Sequence, residues 1–375
     1  MASTYHRTAA SNRRSPVGVT AFAAALLAML CLGCVCGGTP AQAGQSRAAT
    51  LIIVGAGYGH GVGMSQDGAL GYAQHGYNYQ AILAHYYTGT AIGQVSPKTR
   101  VRVLMGGKVH KVPIESYVRG VVAAEMSPQW PLAALEAQAV ASRTYALTAH
   151  AGEGKFDVYA DTRSQVYRGR AAETPASNRA VQATAGQIVT YAGKPAITYF
   201  FASSGGSTES IQNAFPGSTP EPWLRGVPDP FDAGPLHTWR TSLSFAAAAK
   251  DLSGLVRGSF RGIEVLKRGV SPRIISANIL GTKGSTPITG NELAARLNLF
   301  DTWAYFTVHD SHGTHREPDH SGAPAPAASA PTPTPTPSPP PVGPGGGTSA
   351  STGAGSDGTT AASGSRVTGG TTVGR

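Results

Sequence analysis

The chain has 375 residues, with 30 Lys and Arg against 20 Asp and Glu, a formal net charge of +10 at neutral pH. That length supplies one or two ordinary cores. The 3 cysteines, Cys31, Cys34 and Cys36, all precede residue 37, which excludes disulfides, a cysteine nucleophile and a thiolate metal site from everything that follows.

In chain order, Arg7, Arg13 and Arg14 lead into an apolar run from Val17 to about Cys36, and Thr39-Pro40-Ala41-Gln42-Ala43 closes it with small residues. The pattern predicts a secretory signal peptide over 1–43, cut after Ala43. The competing reading is a retained membrane anchor, because the apolar run approaches spanning length. A secreted chain whose Lys and Arg are scattered and form no nucleic-acid-binding motif points to an anionic cell surface or wall polymer, and no nucleic acid is expected as a partner.

The folded part is expected over 49–308. Leu51–Val54 reads as a short buried strand. A Gly-rich turn leads to a helix from Ser65 to Gln74, and a second helix covers Tyr79–Tyr87. Arg100–Leu104 and Lys108–Val112 read as a hairpin about Gly106-Gly107. Then Ile114, Tyr117, Val118, Val121 and Val122 recur at helical spacing, and Ser127-Pro128 ends that helix just after Glu125. A carboxylate there faces the negative end of the helix dipole, with Met126 and Trp130 as apolar neighbours. Both effects favour its protonated form, as a general acid requires. A second helix starts near Pro131; Leu132, Leu135, Ala139, Ser142 and Ala146 face its core side, and Glu136 and Arg143 lie on a neighbouring face.

Further on, Ile188–Tyr191 and Ala196–Phe200 read as a hairpin about Gly193-Lys194. A helix over Phe245–Leu252, strands over Gly262–Lys267 and Arg273–Leu280, and a short helix over Thr289–Leu297 complete the set. Helices mixed with hairpin-connected strands make the fold class α+β, mostly antiparallel, with room for two subdomains. Residues 309–375 are expected as a tail. His309, His312, His315 and His320 with Asp310 and Asp319 read as a solvated linker, the alternative being a metal site. From about Ser321 the composition becomes Pro, Thr, Ser, Ala and Gly, a polyproline and flexible spacer.

Four blocks carry a resemblance: 57–90 (GYGHGVGMSQDGALGYAQHGYNYQAILAHYYTGT), 112–146 (VPIESYVRGVVAAEMSPQWPLAALEAQAVASRTYA), 161–169 (DTRSQVYRG) and 173–209, with a weaker match at 288–299. Together they resemble the stage II sporulation protein D and amidase-enhancer (SpoIID/LytB) family of cell-wall proteins. The block around GHGVGMSQ stands first here, whereas the sporulation protein carries it after the segment matching 288–299, so the resemblance implies a permuted order. The family's sporulation enzymes can also hold zinc through cysteines around the segment matching 160–165. That segment has neither Cys nor His here, so no metal and no cofactor is expected.

What the resemblance implies is a secreted lytic transglycosylase that cuts peptidoglycan strands stripped of stem peptides, between MurNAc and GlcNAc, leaving 1,6-anhydro-MurNAc. Its essential acid falls on Glu125. Arg143 matches a position linked to activity; it holds the glycan or pairs with Glu125, the alternative being a helix-surface ion pair. His60, Ser65 and Gln66 donate hydrogen bonds to sugar, the alternative being a tight turn with His60 bonded inside it. Tyr199 and Ser204 line the groove, the small residues at 203–206 lacking the Gly-x-Ser-x-Gly elbow of a nucleophilic serine. An ordinary glycosidase needs a second carboxylate, for which Glu136 and Asp161 are candidates. The amidase-enhancer branch implies a different class: a non-catalytic wall binder whose partner is a cell-wall amidase. A membrane enters only through an uncleaved signal segment.

Overall fold

Alternating side chains make Thr50–Ala56 (β1) a strand with Leu51 and Ile53 fully buried and Ile52 and Val54 half-exposed. The computed structural model that shows this describes residues 49–322. The stretch expected as a signal peptide, 1–43, and the Pro-rich stretch from 323 lie outside those residues. After β1, Gly57, Gly59, Gly61 and Gly63 all take positive φ. At Gly63 nothing else fits, since a Cβ would stand 2.1 Å from the Tyr199 carbonyl oxygen.

The turn delivers Met64–Ser65 (β2) and Gln66–Gln74 (α1), capped by the Ser65 hydroxyl, which accepts from Gly68 N. Tyr79–Tyr86 (α2), Ala91–Gln94 (β3) and the hairpin Arg100–Met105 (β4) and Lys108–Pro113 (β5) follow. Ile114–Glu125 (α3) and Leu132–Thr148 (α4) each start after an extended proline, and Pro128 keeps the chain from continuing α3. Next come Val158–Tyr159 (β6), Pro175–Ala183 (α5), Gln187–Tyr191 (β7), Lys194–Pro195 (β8), Phe200–Phe201 (β9) and Ile211–Ala214 (α6). Thr238–Ser244 (β10), Phe245–Asp251 (α7), Phe260–Arg268 (β11), Ile274–Gly281 (β12), Gly284–Thr289 (β13), Gly290–Leu297 (α8), Ala304–Asp310 (β14) and Gly313–Arg316 (β15) finish the chain.

These elements enclose two cores within one compact unit. The first joins α1–α5 and β4 through residues such as Tyr117, Val121, Leu135 and Val140. The second joins β1, β10–β14, α7 and α8 through Leu51, Ile263, Ile279 and Phe306. Strand order is β10-β1-β14-β15 in the largest sheet, with β11-β12-β13, β3-β7-β8 and β5-β4-β6 beside it. Pairing is antiparallel except for β4 with β6 and β2 with β9. The α+β expectation is therefore met.

Three expectations need correction. The hairpin about Gly193 closes only through Lys194–Pro195 and the Ala196 amide, because Tyr199 gives its carbonyl to Met64 N and Tyr87 Oη, drawing the strand toward β2. The folded part does not stop at 308: β14 runs to Asp310 and turns back as β15, with Val308 buried on the core side. The His-rich tract is accordingly hairpin and packed return rather than linker. His309 Nδ1 bonds Thr314 Oγ1 at 2.7 Å, and Arg268 holds Asp319 at 2.9 Å. Among the described residues no helix is long and apolar enough to cross a membrane.

Candidate functional site

Glu125 is the last residue of α3, and the Met126 backbone turns extended directly after it. The stripe Ile114, Tyr117, Val118, Val121 and Val122 is buried, so the end of α3 is fixed against the first core. That leaves Glu125 half-buried at the wall of a cleft of about 230 Å³. Val166 N donates to Glu125 Oε1 at 2.7 Å, and Gln66 Nε2 lies 3.3 Å from Oε2. The acid is thus met by a backbone amide 41 positions later and by a side chain 59 positions earlier.

The cleft opens between the two cores. Tyr145, Tyr199, Phe200 and Phe215 line it from the first; Ala294, Leu299 and Phe300 line it from the second. Tyr58, Gln165, Thr162, Asn291 and Asp301 complete much of the rim. Carboxyl groups beside aromatic and hydroxyl-bearing walls suit a ring with both apolar faces and polar edges, which is the surface of a sugar.

Of the residues singled out from the sequence, Glu125, His60, Gln66 and Tyr199 line this cleft. Gln66 leads α1 and reaches the acid directly. His60 is at the cleft but its ring is engaged with backbone: Nδ1 accepts from Val62 N at 3.1 Å, and the ring also bonds the Phe200 backbone. Burial, helped by the Arg273 charge, pushes its pKa down to about 4. His60 is therefore a neutral brace packed edge-on against Tyr199, 5.9 Å between centroids, rather than a donor to sugar.

Ser65 and Ser204 are both 0% exposed and face inward. Ser65 caps α1 and donates to Asp232 Oδ2 at 3.4 Å, while the Ser204 hydroxyl donates to the same oxygen at 2.7 Å. With Ser203 and the Gly205 amide they anchor the 203–206 loop to Asp232, which is why neither reaches the groove. Arg143 is also 0% exposed. Its guanidinium forks onto Glu115, Nε to Oε1 at 2.9 Å and Nη2 to Oε2 at 2.7 Å, and Nη1 donates to the Gln187 carbonyl at 2.9 Å. It pairs with Glu115 rather than Glu125, inside the protein, and fastens α3 and α4 to β7.

The cleft holds a second carboxylate that the sequence did not suggest. Asp301 is 2% exposed, accepts from Arg273 Nη2 at 2.7 Å and from Trp303 N at 2.9 Å. Burial pushes its pKa up against the pull of Arg273. Held by a buried cation and a backbone amide, it is poorly disposed to activate water. Neither Glu136 nor Asp161 lines the cleft; Asp161 sits exposed in a fork with Arg163. Segment 160–165 offers no thiol or imidazole for zinc, and its one carboxylate is taken by that arginine. The residues present do not fit such a metal.

Reading the sequence also missed the depth of the aromatic wall: Phe215 and Phe300 belong to no motif and pack against the first and second core respectively, and Tyr58, inside block 57–90, was not singled out. Gln165 lay within a block already set apart, at 161–169, and it is 1% exposed with Nε2 on the Ser142 carbonyl at 3.1 Å.

Residues 106–191 match the family described as Stage II sporulation protein. An uncharacterized protein of Brachyspira hyodysenteriae is 40% identical over 148 residues, covering 39% of this chain and 40% of its own. Stage II sporulation protein D of Bacillus amyloliquefaciens is 28% identical over 209 residues, 51% of this chain and 59% of that protein. The amidase enhancer of Bacillus subtilis is 36% identical over 103 residues, 28% of this chain but 14% of that protein. The chain thus spans less than two thirds of the length of these relatives. The segment matched by the family, 106–191, contains Glu125 and both α3 and α4.

Proposed function

We propose that this chain, whose residues 106–191 match the Stage II sporulation protein family, acts on the bacterial cell wall as a lytic transglycosylase. Its substrate is the glycan strand of peptidoglycan, stripped of stem peptides, and its acid–base group is Glu125. The protein reaches that substrate as a secreted chain led out by residues 1–43. The observation that supports this most is that Glu125 stands in an aromatic-walled cleft whose other carboxylate, Asp301, is spent on Arg273.

The chemistry asks for one carboxyl group in two roles. Oε1 accepts from Val166 N, so the transferable proton belongs on Oε2. That proton passes to the glycosidic oxygen between MurNAc and GlcNAc. The C1–O bond breaks with its electron pair on the departing oxygen, and positive charge develops at C1. The Glu125 carboxylate then takes the proton of the same sugar's 6-hydroxyl as O6 bonds to C1 and closes the 1,6-anhydro ring. Atoms and charge balance without water, so no second carboxylate is required.

Incubating the protein with denuded glycan strands is expected to yield 1,6-anhydro-MurNAc ends by mass spectrometry, and Glu125→Gln is expected to abolish them with the fold intact. Unchanged turnover in that variant would reject the proposal. The similarity to an amidase enhancer favours one alternative, a wall binder that stimulates a partner amidase. It predicts retention on glycan strands without product, and faster amidase turnover when this protein is added.

A further inference from the structure

Behind Glu125 stands a row of buried amides. Gln66 Nε2 is 3.3 Å from Glu125 Oε2 and 3.5 Å from Gln138 Oε1. Gln138 Nε2 donates to Ser142 Oγ at 2.9 Å, one turn along α4. Gln66 is 8% exposed, and Gln138 and Ser142 are 0% exposed. Along α4 the latter two are flanked by buried Ala137, Ala139, Val140 and Ala141 and, after Ser142, by buried Arg143, which is spent on Glu115. Two polar side chains in so apolar a helix cost stability unless each finds its partners. The structure gives these two one another, and Gln66, as partners.

The row has a property that a salt bridge lacks. A half-turn of a terminal amide exchanges its donor and acceptor ends, and a serine hydroxyl serves as either. The row therefore runs in two directions. With Glu125 ionised, Gln66 donates to Oε2 and to Gln138 Oε1, and Gln138 donates to Ser142. With a proton on Oε2 and before glycan binds, the turned Gln66 carbonyl accepts from that hydroxyl and from the turned Gln138 amide, while Ser142 donates to the Gln138 carbonyl; the hydroxyl swings from Gln66 to the glycosidic oxygen when the strand is seated. No proton travels along the row; only amides turn. A fixed cation in the place of Gln66 would favour the carboxylate alone. A group that is acid in one step and base in the next needs a neighbour that serves both states.

We propose that Gln138, ended by Ser142, is a positioning residue that acts through Gln66 on Glu125, the three side chains forming a reversible row that holds Oε2 in both protonation states. The inference rests on the reading of Glu125 as the acid–base group. It assigns a task to Gln138 that cleft geometry alone does not, because Gln138 does not line the cleft.

The test compares Gln66→Met, Gln138→Met and the double variant by kcat and KM on denuded strands, and by the pH titration of the Glu125 carboxyl carbon in 13C-labelled protein. Losing a hydrogen bond to a charged group in the reacting complex is expected to cost Gln66→Met about tenfold to a hundredfold in kcat. Gln138→Met loses about tenfold, with KM unchanged in both. Both variants move the Glu125 titration to higher pH, Gln66→Met further, because the carboxylate loses the stronger bond. The double variant matches Gln66→Met alone, since in this row Gln138 acts on the acid through Gln66. Ser142→Ala, a small change in a buried helix, gives the same pattern at a few-fold and covers a misfolded Gln138→Met. Additive losses in the double variant, or a Gln138→Met protein with wild-type kcat and wild-type titration, would overturn the proposal. If the wild-type protein forms no anhydro product, the transglycosylase reading fails by itself, and the titration still decides the row.

Discussion

Arg143 separates a residue that touches glycan from one that holds the protein together. Replacing it with Met keeps most of the volume and removes the guanidinium. Four hydrogen bonds go with it: two to Glu115, one to the Gln187 carbonyl and one to the Ala139 carbonyl at 3.4 Å. The Glu115 carboxylate then keeps only the Gly186 amide, at 3.0 Å. Breaking one side of a buried ion pair costs about 3–5 kcal/mol, because the remaining charge is stranded. Glu115 retains 21% side-chain exposure, so water repays part of that and the low end, about 3 kcal/mol, is expected. Against a total stability of about 5–15 kcal/mol this is a large fraction. Urea unfolding followed by circular dichroism reads it as a lower midpoint at unchanged slope. The double variant Arg143→Met/Glu115→Leu should recover part of the loss, since no charge is left stranded. Arg143→Lys should recover little, because a point charge cannot fork onto two oxygens. An Arg143→Met protein that unfolds at the wild-type midpoint yet no longer binds glycan strands would refute the structural role and return the residue to the groove.

Two further outcomes follow from the packing beside the cleft. Burial and the charge of Asp232 push the Asp229 pKa up to about 7, so the folded protein binds a proton there that the unfolded chain releases near pH 4. Stability from this group is full below pH 4 and is lost as pH rises through about 7. Asp229→Asn, which mimics the protonated acid, is therefore expected to raise Tm at pH 8 by more than at pH 5, the difference being equivalent to about 2–3 kcal/mol. An equal change at both pH values would count against it. Gly63→Ala meets both a φ of +77° and a Cβ 2.1 Å from the Tyr199 carbonyl, and is expected to cost about 3 kcal/mol or more in urea unfolding; a loss under about 1 kcal/mol would show that the turn relaxes.

The elements that were legible in the sequence are those whose signal is local. The buried stripe of α3, the proline stops around it and the caps of α1 and α8 are each written within a few residues. The place of Glu125 at the end of α3 was legible for the same reason, and Gln66 was singled out through the block that contains it. Arg143 was not. Leu132, Leu135, Ala139, Ser142 and Ala146 mark one face of α4, but the structure buries every residue from Ala137 to Ala146, so the helix has no solvent face there for an arginine to occupy. Its partner Glu115 lies 28 positions away, and no spacing rule links them. His60 fails similarly, because the groups that consume its nitrogens are backbone groups, which every residue carries. Strands β10 and β14 take their meaning only from β1 between them, and the tract at 309–320 looks polar because β15 is an exposed edge on a sheet whose other face supplies the core.

That same sheet shows how this fold would tolerate the permuted order that the resemblance implies. β1, where the described residues begin, is in register with β14, near where they end: Thr50 stands opposite His309 and Leu51 opposite Val308. Ends that lie side by side allow the chain to be opened elsewhere without moving its core. The candidate site depends on contacts that such a change preserves. The turn that carries Gln66 is held by the parallel pair β2 and β9 and by the packing of α1 on α4, neither of which uses the peptide link between β1 and its neighbours in sequence. Gln66 meets Glu125 across 59 positions, and Val166 across 41. A site assembled from such long-range contacts is indifferent to the order in which its blocks are strung. It is sensitive instead to whatever fixes α1, α3 and the segment before Val166 against one another, and the buried Arg143–Glu115 fork at the base of α3 and α4 is one such fastening.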